Sequence, residues 1–405
     1  MASNTSSKAV SLLVLFSVGM IGILGPFGTD IYLPALPQMS LELGTSEANI
    51  RLTLSLYTLG MAIGQFVLGA LSDRFGRKIV MISGGTLFAI AAFSASASQS
   101  LVTLLLSCLI LGIGSSAGLV TGRAVIADTT SGRMATKYFT LLQMVVSSGP
   151  ILGPLAGAAL LYFGDWRLIF AALSVFAACS TVAALVIIPE TLSPELRHSA
   201  HPFNILSTMK NVLSHRQFLH FASVIWLGFG MLFTYVSSSS IIFQSMLGVD
   251  SRTYASFFAL NGFGLVVMSL FTSRLALRMP AQRLVLVGVV IQTLAMTTLI
   301  SMVLISAITT AGIEACFFFL SCSMGFILGP STSLAVAPVR FASGTALALV
   351  GSLQFASAGI TSTMATLISG NALTGFLVMG AAATVAATTM ALSGYRYISR
   401  RPNGH

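Results

Sequence analysis

The stretch GALSDRFGRK, residues 69–78, sets two glycines, one acid and three bases into a chain that is only 7% charged. Apolar runs near 48–70 and 79–98 flank it, each of the length a helix needs to cross a hydrocarbon layer about 30 Å thick. The stretch therefore reads as a connection between two membrane spans, and the spacing of such connections decides the fold. Runs of similar length fall near 10–36, 101–122, 138–162 and 168–188. Six more fall near 218–242, 253–273, 284–305, 309–336, 343–367 and 372–394. The sequence predicts an all-α membrane protein of twelve spans. Its 405 residues are 55% hydrophobic, with a mean hydropathy of +0.93, more apolar surface than a soluble chain could hide. The first run follows Lys8 and continues as GPFGTDIYLP (25–34) without a small-residue cleavage site, so it is expected to stay as a helix.

Charge placement gives an orientation. With both termini in the cytoplasm, seventeen lysines and arginines fall at cytoplasmic ends, against Arg51, Arg167 and Arg252 at outer ends. That is the positive-inside bias, and it explains the net charge of +10 without a nucleic-acid partner. The longest polar stretch, 189–217, follows the sixth run. The expected organisation is a six-helix bundle over 1–188, a cytoplasmic linker over 189–217 and a second six-helix bundle over 218–405. SGRMATKYFTLLQ (131–143) is similar to RFASGTALALVGSLQ (340–354), which places Gln143 and Gln354 at matching positions of the fifth and eleventh runs. Parallel halves of this kind enclose a binding site near the bilayer midplane.

Within the opening stretch, Gly69 is expected to allow close helix approach and Gly76 to serve a tight turn. Asp73 is suited to cap the N-terminus of a neighbouring helix, with Arg74, Arg77 and Lys78 pairing with nearby acids. Arg123 and Asp128 end the fourth run and are expected to join that network. An ordinary basic loop would need the bases alone, without the ordered glycines and the acid.

The pattern G-x-L-x-D-R-x-G-R-K resembles the signature loop of the major facilitator superfamily at every defining position. The resemblance implies the major facilitator fold, twelve transmembrane helices as two six-helix bundles. It also implies a role for the loop as a cytoplasmic gate, formed by Gly69, Asp73, Arg74, Gly76, Arg77, Lys78, Arg123 and Asp128. The matching loop of the second half, SRLALRMPAQR (273–283), keeps arginines but lacks the aspartate and glycines, so the gate should be asymmetric. GPILGPLAGA (149–158) resembles the family's antiporter motif, carried by Gly149, Pro150, Gly153, Pro154 and Gly157. Its glycines form a small-residue face at i, i+4 and i+8, and its prolines break backbone hydrogen bonds. GTDIYLPALP (28–37), RAVIADTTSGR (123–133) and the segment from WRLIF to PET (166–191) are similar to the bicyclomycin/chloramphenicol-type (Bcr/CflA) exporters. That branch implies a secondary active efflux transporter exchanging protons for amphipathic drug-like molecules, which would confer drug resistance. A sugar or metabolite exporter, or an uncoupled facilitator, of the same fold stays open.

Two acids lie inside spans. An unpaired carboxylate at the centre of a span costs at least about 2.5–3.5 kcal/mol. Burial disfavours the charged form, which suits Asp30 to proton coupling, and the resembling exporters use the acid of this motif for protons or cationic substrates. Glu314 is the second proton-coupling candidate. It lies roughly 8 Å from the outer end of its helix at 1.5 Å per residue, shallow enough to snorkel. Substrate-binding candidates are Asp30, Tyr57, Gln143, Tyr235, Asn261 and Gln354. They are supported by polar stripes at Gln143 and Ser147, at Gln354, Ser357 and Thr361, and at Thr234 to Ser240. Serines and threonines are also ordinary glue between helices. The family usually carries an arginine in the fourth helix where this chain has Cys108, and a glutamine is common where it has Leu111. The substitution throws more of the coupling onto Asp30.

Cys108, Cys179, Cys316 and Cys322 lie in apolar runs without metal-ligand spacing and read as packing residues. No GxxxxGK[ST] motif marks a nucleotide site, and the five histidines (198, 201, 215, 220 and 405) lie in loops or at helix ends. An enzyme, a cofactor, a metal and a signalling receptor are therefore not expected. The expected partners are a small drug-like molecule, protons and the lipid bilayer, with the chain working as a monomer in the bacterial inner membrane.

Overall fold

The computed structural model describes residues 12–129, 142, 145–146, 148–192, 209–368 and 371–399. Gln143, Ser147 and most of the 189–217 linker lie outside the described residues. Among those described, eleven helices are long and apolar enough to cross a membrane. The fifth of the expected twelve is described over Gly149–Leu160. The molecule is an all-helical, multi-pass membrane protein.

The first span, Leu13–Glu42, is broken into pieces. Helices Leu12–Gly22 and Leu24–Asp30 give way to a 3-10 turn at Leu33–Ala35, followed by a short helix over Leu36–Glu42. Pro34 and Pro37 explain the outer break, since neither offers a backbone N–H to a continuous helix. The second span, Glu47–Phe75, starts at Ser46, whose hydroxyl accepts from Asn49 N at 3.2 Å. It ends at Gly76, whose φ of +106° turns the chain straight into the third span, Arg77–Ser96. The fourth span, Leu101–Thr129, lies against the second so closely that a side chain at Gly60 or Gly112 would strike the other helix's backbone. The sixth is Trp166–Ile187.

The seventh span, Arg216–Ser240, runs on through a π-helical turn at Ile241–Met246. The eighth is Ser251–Leu275, the ninth Ala281–Leu304, the tenth Thr310–Val336, the eleventh Ser343–Ile368 and the twelfth Ala372–Ser399. In the first half the third span packs on the fourth and sixth. In the second half the seventh packs on the eleventh and twelfth, and the ninth on the tenth. Between halves the second span lies along the eleventh and the fifth along the eighth. Large apolar side chains such as Phe93, Val186 and Val385 face outward, where lipid would cover them.

Among the described residues, five hydrogen bonds join the halves at the end opposite the 69–78 loop. Ser240 Oγ donates to the Leu33 carbonyl at 2.6 Å, and Gln244 Nε2 and Ser251 Oγ donate to the Pro34 carbonyl at 3.1 and 3.4 Å. The broken first helix supplies these carbonyls. Arg51 donates to Thr366 Oγ1 at 2.8 Å, and the Ser55 and Ser362 hydroxyls meet at 2.8 Å. Arg51 is 2% exposed, its Nε has no partner, and no carboxylate lies within ion-pair distance among the described residues.

Candidate functional site

Between the halves lies a cavity of about 300 Å³. Asp30 lies deep along it, and Gln65 and Arg123 line it nearer the 69–78 loop. Its wall is mostly apolar and carries five aromatic rings, those of Phe229, Phe233, Tyr235, Phe258 and Phe355. Phe229 and Phe233 of the seventh span lie 4.8 Å apart, and Phe355 of the eleventh meets Phe229 edge-on at 5.3 Å. Tyr235 stacks on Phe258 of the eighth at 5.8 Å. The polar side chains of the wall include Asp30, Arg123, Tyr235, Asn261, Gln65 and Gln354, with the hydroxyl residues Thr29 and Ser321 beside them. An apolar chamber with a few converging polar groups is the form small-molecule sites take.

Asp30 is 4% exposed, and no cation lies within ion-pair distance of it among the described residues. Its place is set by the fifth helix, whose glycine face lies directly on this part of the first. A side chain at Gly149 would meet Pro26, one at Gly153 would come within 3.1 Å of Asp30 Cβ, and one at Gly157 would strike the Ile31 carbonyl. The expected small-residue face is thus the surface that seats the acid, and Pro150 of the same motif lines the cavity.

Of the expected binding residues, Asp30, Tyr235, Asn261 and Gln354 come together on this wall. Gln143 lies outside the described residues. Tyr57 does not line the cavity: its hydroxyl donates to the Gly25 carbonyl at 2.9 Å, and its fully buried ring holds the second helix to the broken first. Ser357 and Thr361 turn away to donate to the Trp226 and Gly230 carbonyls at 2.7 and 2.9 Å, binding the eleventh helix to the seventh. Glu314 does not snorkel. It is 7% exposed and faces inward to Asn261, whose Nδ2 donates to Glu314 Oε2 at 3.4 Å. Cys108 and Leu111 are fully buried in the core rather than in the cavity, as are Cys316 and Cys322 nearly so, while Cys179 is exposed.

At the 69–78 loop a compact network centres on Arg77. Its guanidinium donates to Asp73, to Ser72 Oγ at 2.8 Å and to Asp128 Oδ2 at 3.1 Å. Three expectations need correction here. Asp73 pairs with Arg77 and does not cap the third helix. That role falls to Glu190, beyond the sixth span, whose carboxylate accepts from Arg77 N at 3.0 Å and Lys78 N at 3.3 Å. Gly76 must stay bare because a side chain would run into Glu190 as well as force a strained φ. Gly69 has room, since a methyl group there would sit 3.6 Å from Val120. Arg123 stands apart from the network and faces the cavity, because its helical position turns it from Asp128 towards the chamber. Arg74 lies over the Phe75 ring at 5.4 Å. Among the described residues, no group of histidine, cysteine and carboxylate side chains could hold a metal ion.

A family model described as Major Facilitator Superfamily matches residues 18–363. The chain belongs to the major facilitator superfamily. It is a transporter of that family. Among its relatives is "Uncharacterized MFS-type transporter YdgK" of Bacillus subtilis, 28% identical over 364 residues, covering 89% of this chain and 90% of the relative. "Bicyclomycin resistance protein homolog" of Haemophilus influenzae is 27% identical over 363 residues, covering 86% and 88%. "Multidrug resistance protein MdtL" of Citrobacter koseri is 27% identical over 352 residues, covering 87% and 88%. Among solved structures, a D-xylose-proton symporter superposes with a TM-score of 0.74 at 16% identity, over 93% of this chain and 96% of that one. Its likeness establishes the major facilitator fold.

Proposed function

We propose that this transporter exports amphipathic, aromatic drug-like molecules in exchange for protons, with Asp30 as the proton-binding group. The observation that carries the reading is a buried carboxyl with no counter-ion among the described residues, set in an apolar cavity with five aromatic rings and seated by the antiporter-motif face of the fifth helix. Bicyclomycin- and multidrug-resistance relatives support the cargo class. A carboxyl that alternates between charged and neutral forms lets protons and a cationic cargo take turns at one site. The cavity's reach towards the 69–78 loop, with five hydrogen bonds closing the other end, supports an inward-facing form when read with the positive-inside bias. On that orientation both termini are cytoplasmic, the chain lies in the bacterial inner membrane, and Asp73, Arg77, Asp128 and Glu190 form the gate. The bundles divide near 189–217, and one chain suffices as the transport unit.

The test is Asp30→Asn in inside-out vesicles energised with a proton gradient. The substitution keeps shape but fixes the neutral form, so gradient-driven accumulation of an aromatic cation should fall to background. Asp30→Glu should retain part of it at a shifted pH optimum. Accumulation by Asp30→Asn at the original rate would refute the reading. The coupling would then lie elsewhere, with Glu314 the next candidate, or the chain would be a facilitator.

A further inference from the structure

Behind the aromatic wall of the cavity lies the second buried acid. Glu314 Oε2 accepts from Asn261 Nδ2 at 3.4 Å, and the same nitrogen donates to the Tyr235 hydroxyl at 2.7 Å. Glu314 Oε1 and Asn261 Oδ1 are both buried without a partner. Tyr235 and Asn261 line the cavity and Glu314 does not. The Tyr235 ring is held between Phe258, stacked at 5.8 Å, and Phe317 at 4.6 Å. What remains free to turn is its hydroxyl hydrogen.

We propose that Glu314 binds a proton of its own, and that Asn261 and Tyr235 report its protonation to the cavity, coupling protons to uncharged cargo that bears a carbonyl-type hydrogen-bond acceptor. The inference rests on the export reading above. With Glu314 ionised, the amide of Asn261 directs its NH2 at the carboxylate and at the Tyr235 oxygen. That oxygen is then engaged as an acceptor, and its O–H is left to donate into the cavity. A proton taken from water onto Glu314 Oε2 gives that atom an O–H donor, which finds no acceptor in an NH2 group. The amide turns over, and Oδ1 accepts from both the Glu314 O–H and the Tyr235 O–H. The far end of the amide has no partner that would hold it in the first orientation. The Tyr235 hydrogen is thereby withdrawn from cargo. Proton and cargo compete without touching and without any charge on the cargo, which Asp30 by itself does not provide. Asn261 and Tyr235 are positioning residues in this scheme.

Few other groups could mimic the effect. Tyr254 of the eighth span shares a 3.0 Å hydrogen bond with Ser239, Asp30 lies across the cavity, and Arg252 is exposed at the outer end of the eighth helix. Cys316 and Cys322 lie on the tenth helix itself. The ninth and eleventh spans carry no acid or base along their length apart from Arg283 at the start of the ninth. On the seventh and twelfth, Arg216, His220, Tyr395, Arg396 and Tyr397 lie at the opposite end of the bundle.

The experiment measures binding of two probes to the purified full chain in lipid nanodiscs, from mildly acidic to mildly alkaline buffer. Chloramphenicol is an uncharged aromatic amide; tetraphenylphosphonium is an aromatic cation without a hydrogen-bond acceptor. Chloramphenicol affinity should weaken as pH falls. Tyr235→Phe should lower its alkaline affinity about fivefold, the effect of one hydrogen bond, and flatten the pH dependence. Glu314→Gln, a mimic of the protonated acid, should show the weak acid-form affinity at every pH. Tetraphenylphosphonium binding should keep its pH profile in Glu314→Gln, whose side chain lies outside the cavity, which also confirms an intact fold. An unaltered chloramphenicol pH profile in both variants would overturn the inference while leaving the export reading standing. Binding of neither probe by the wild-type chain would overturn both.

Discussion

Replacing Gly157 with alanine places a methyl group against the Ile31 carbonyl, immediately after Asp30. The obstacle is backbone, so no rotamer change relieves it. The broken first helix is also held from its other side, by the Tyr57 hydroxyl at the Gly25 carbonyl. Overpacking of this kind costs about 1–3 kcal/mol, against a gain in helix propensity of about 1 kcal/mol for glycine to alanine. The expected net loss is therefore up to about 2 kcal/mol, together with displacement of Asp30 from its seat. Two companions calibrate it. Gly153→Ala brings a methyl group to 3.1 Å from Asp30 Cβ, a crowding of a few tenths of an ångström. Gly69→Ala meets Val120 at 3.6 Å, ordinary contact. Thermal unfolding of purified protein, followed by a thiol-reactive dye reporting on Cys108, Cys316 and Cys322, should rank Gly69→Ala at or above wild type. Gly153→Ala should come slightly below and Gly157→Ala lowest, with efflux lost in the last. A Gly157→Ala protein as stable and as active as wild type would refute this packing argument.

Two further outcomes follow from the structure. Glu190→Gln removes the charge at the N-terminus of the third helix, worth about 0.3–1 kcal/mol, so expression should hold while the transport rate in vesicles drops; an unchanged rate would show that the cap has no part in gating. Cys108→Ala trims a fully buried side chain outside the cavity, so efflux should largely persist and the native thiol should resist alkylation until the protein unfolds; protection of a reactive Cys108 by cargo would place it in the binding site instead.

Hydropathy and loop charge made the spans legible because lipid imposes length and composition on each helix separately. The acid at Asp30 and the glycine face at 149–157 were legible for the same reason: a carboxylate or a small-residue stripe is conspicuous in an apolar helix. Partnerships were not. Glu190 caps a helix that begins over a hundred residues earlier, and nothing local to PET at 189–191 says so. Tyr57 looked like a cavity residue, but a carbonyl of the broken first helix takes its hydroxyl. Arg123 and Asp128 are neighbours in sequence, yet five positions on a helix turn them to different faces, one to Arg77 and one to the chamber. Glu314 shows the limit of depth as a guide, since depth allowed an outward reach and Asn261 draws the side chain inward.

Arg51 makes the closed end of the transporter costly in hydration. Its guanidinium is stripped of water when the second and eleventh helices meet, and among the described residues one threonine hydroxyl, at 2.8 Å, is its hydrogen-bond partner. Removing a cation from water costs several kcal/mol even after relaxation, far more than a single neutral acceptor returns. The closed end is thus held against a tendency of this side chain to draw water back in, and parting the helices returns it to solvent. Excluded osmolytes, which disfavour hydrated surface, should populate the shut arrangement, and dilution into water-rich medium should release it.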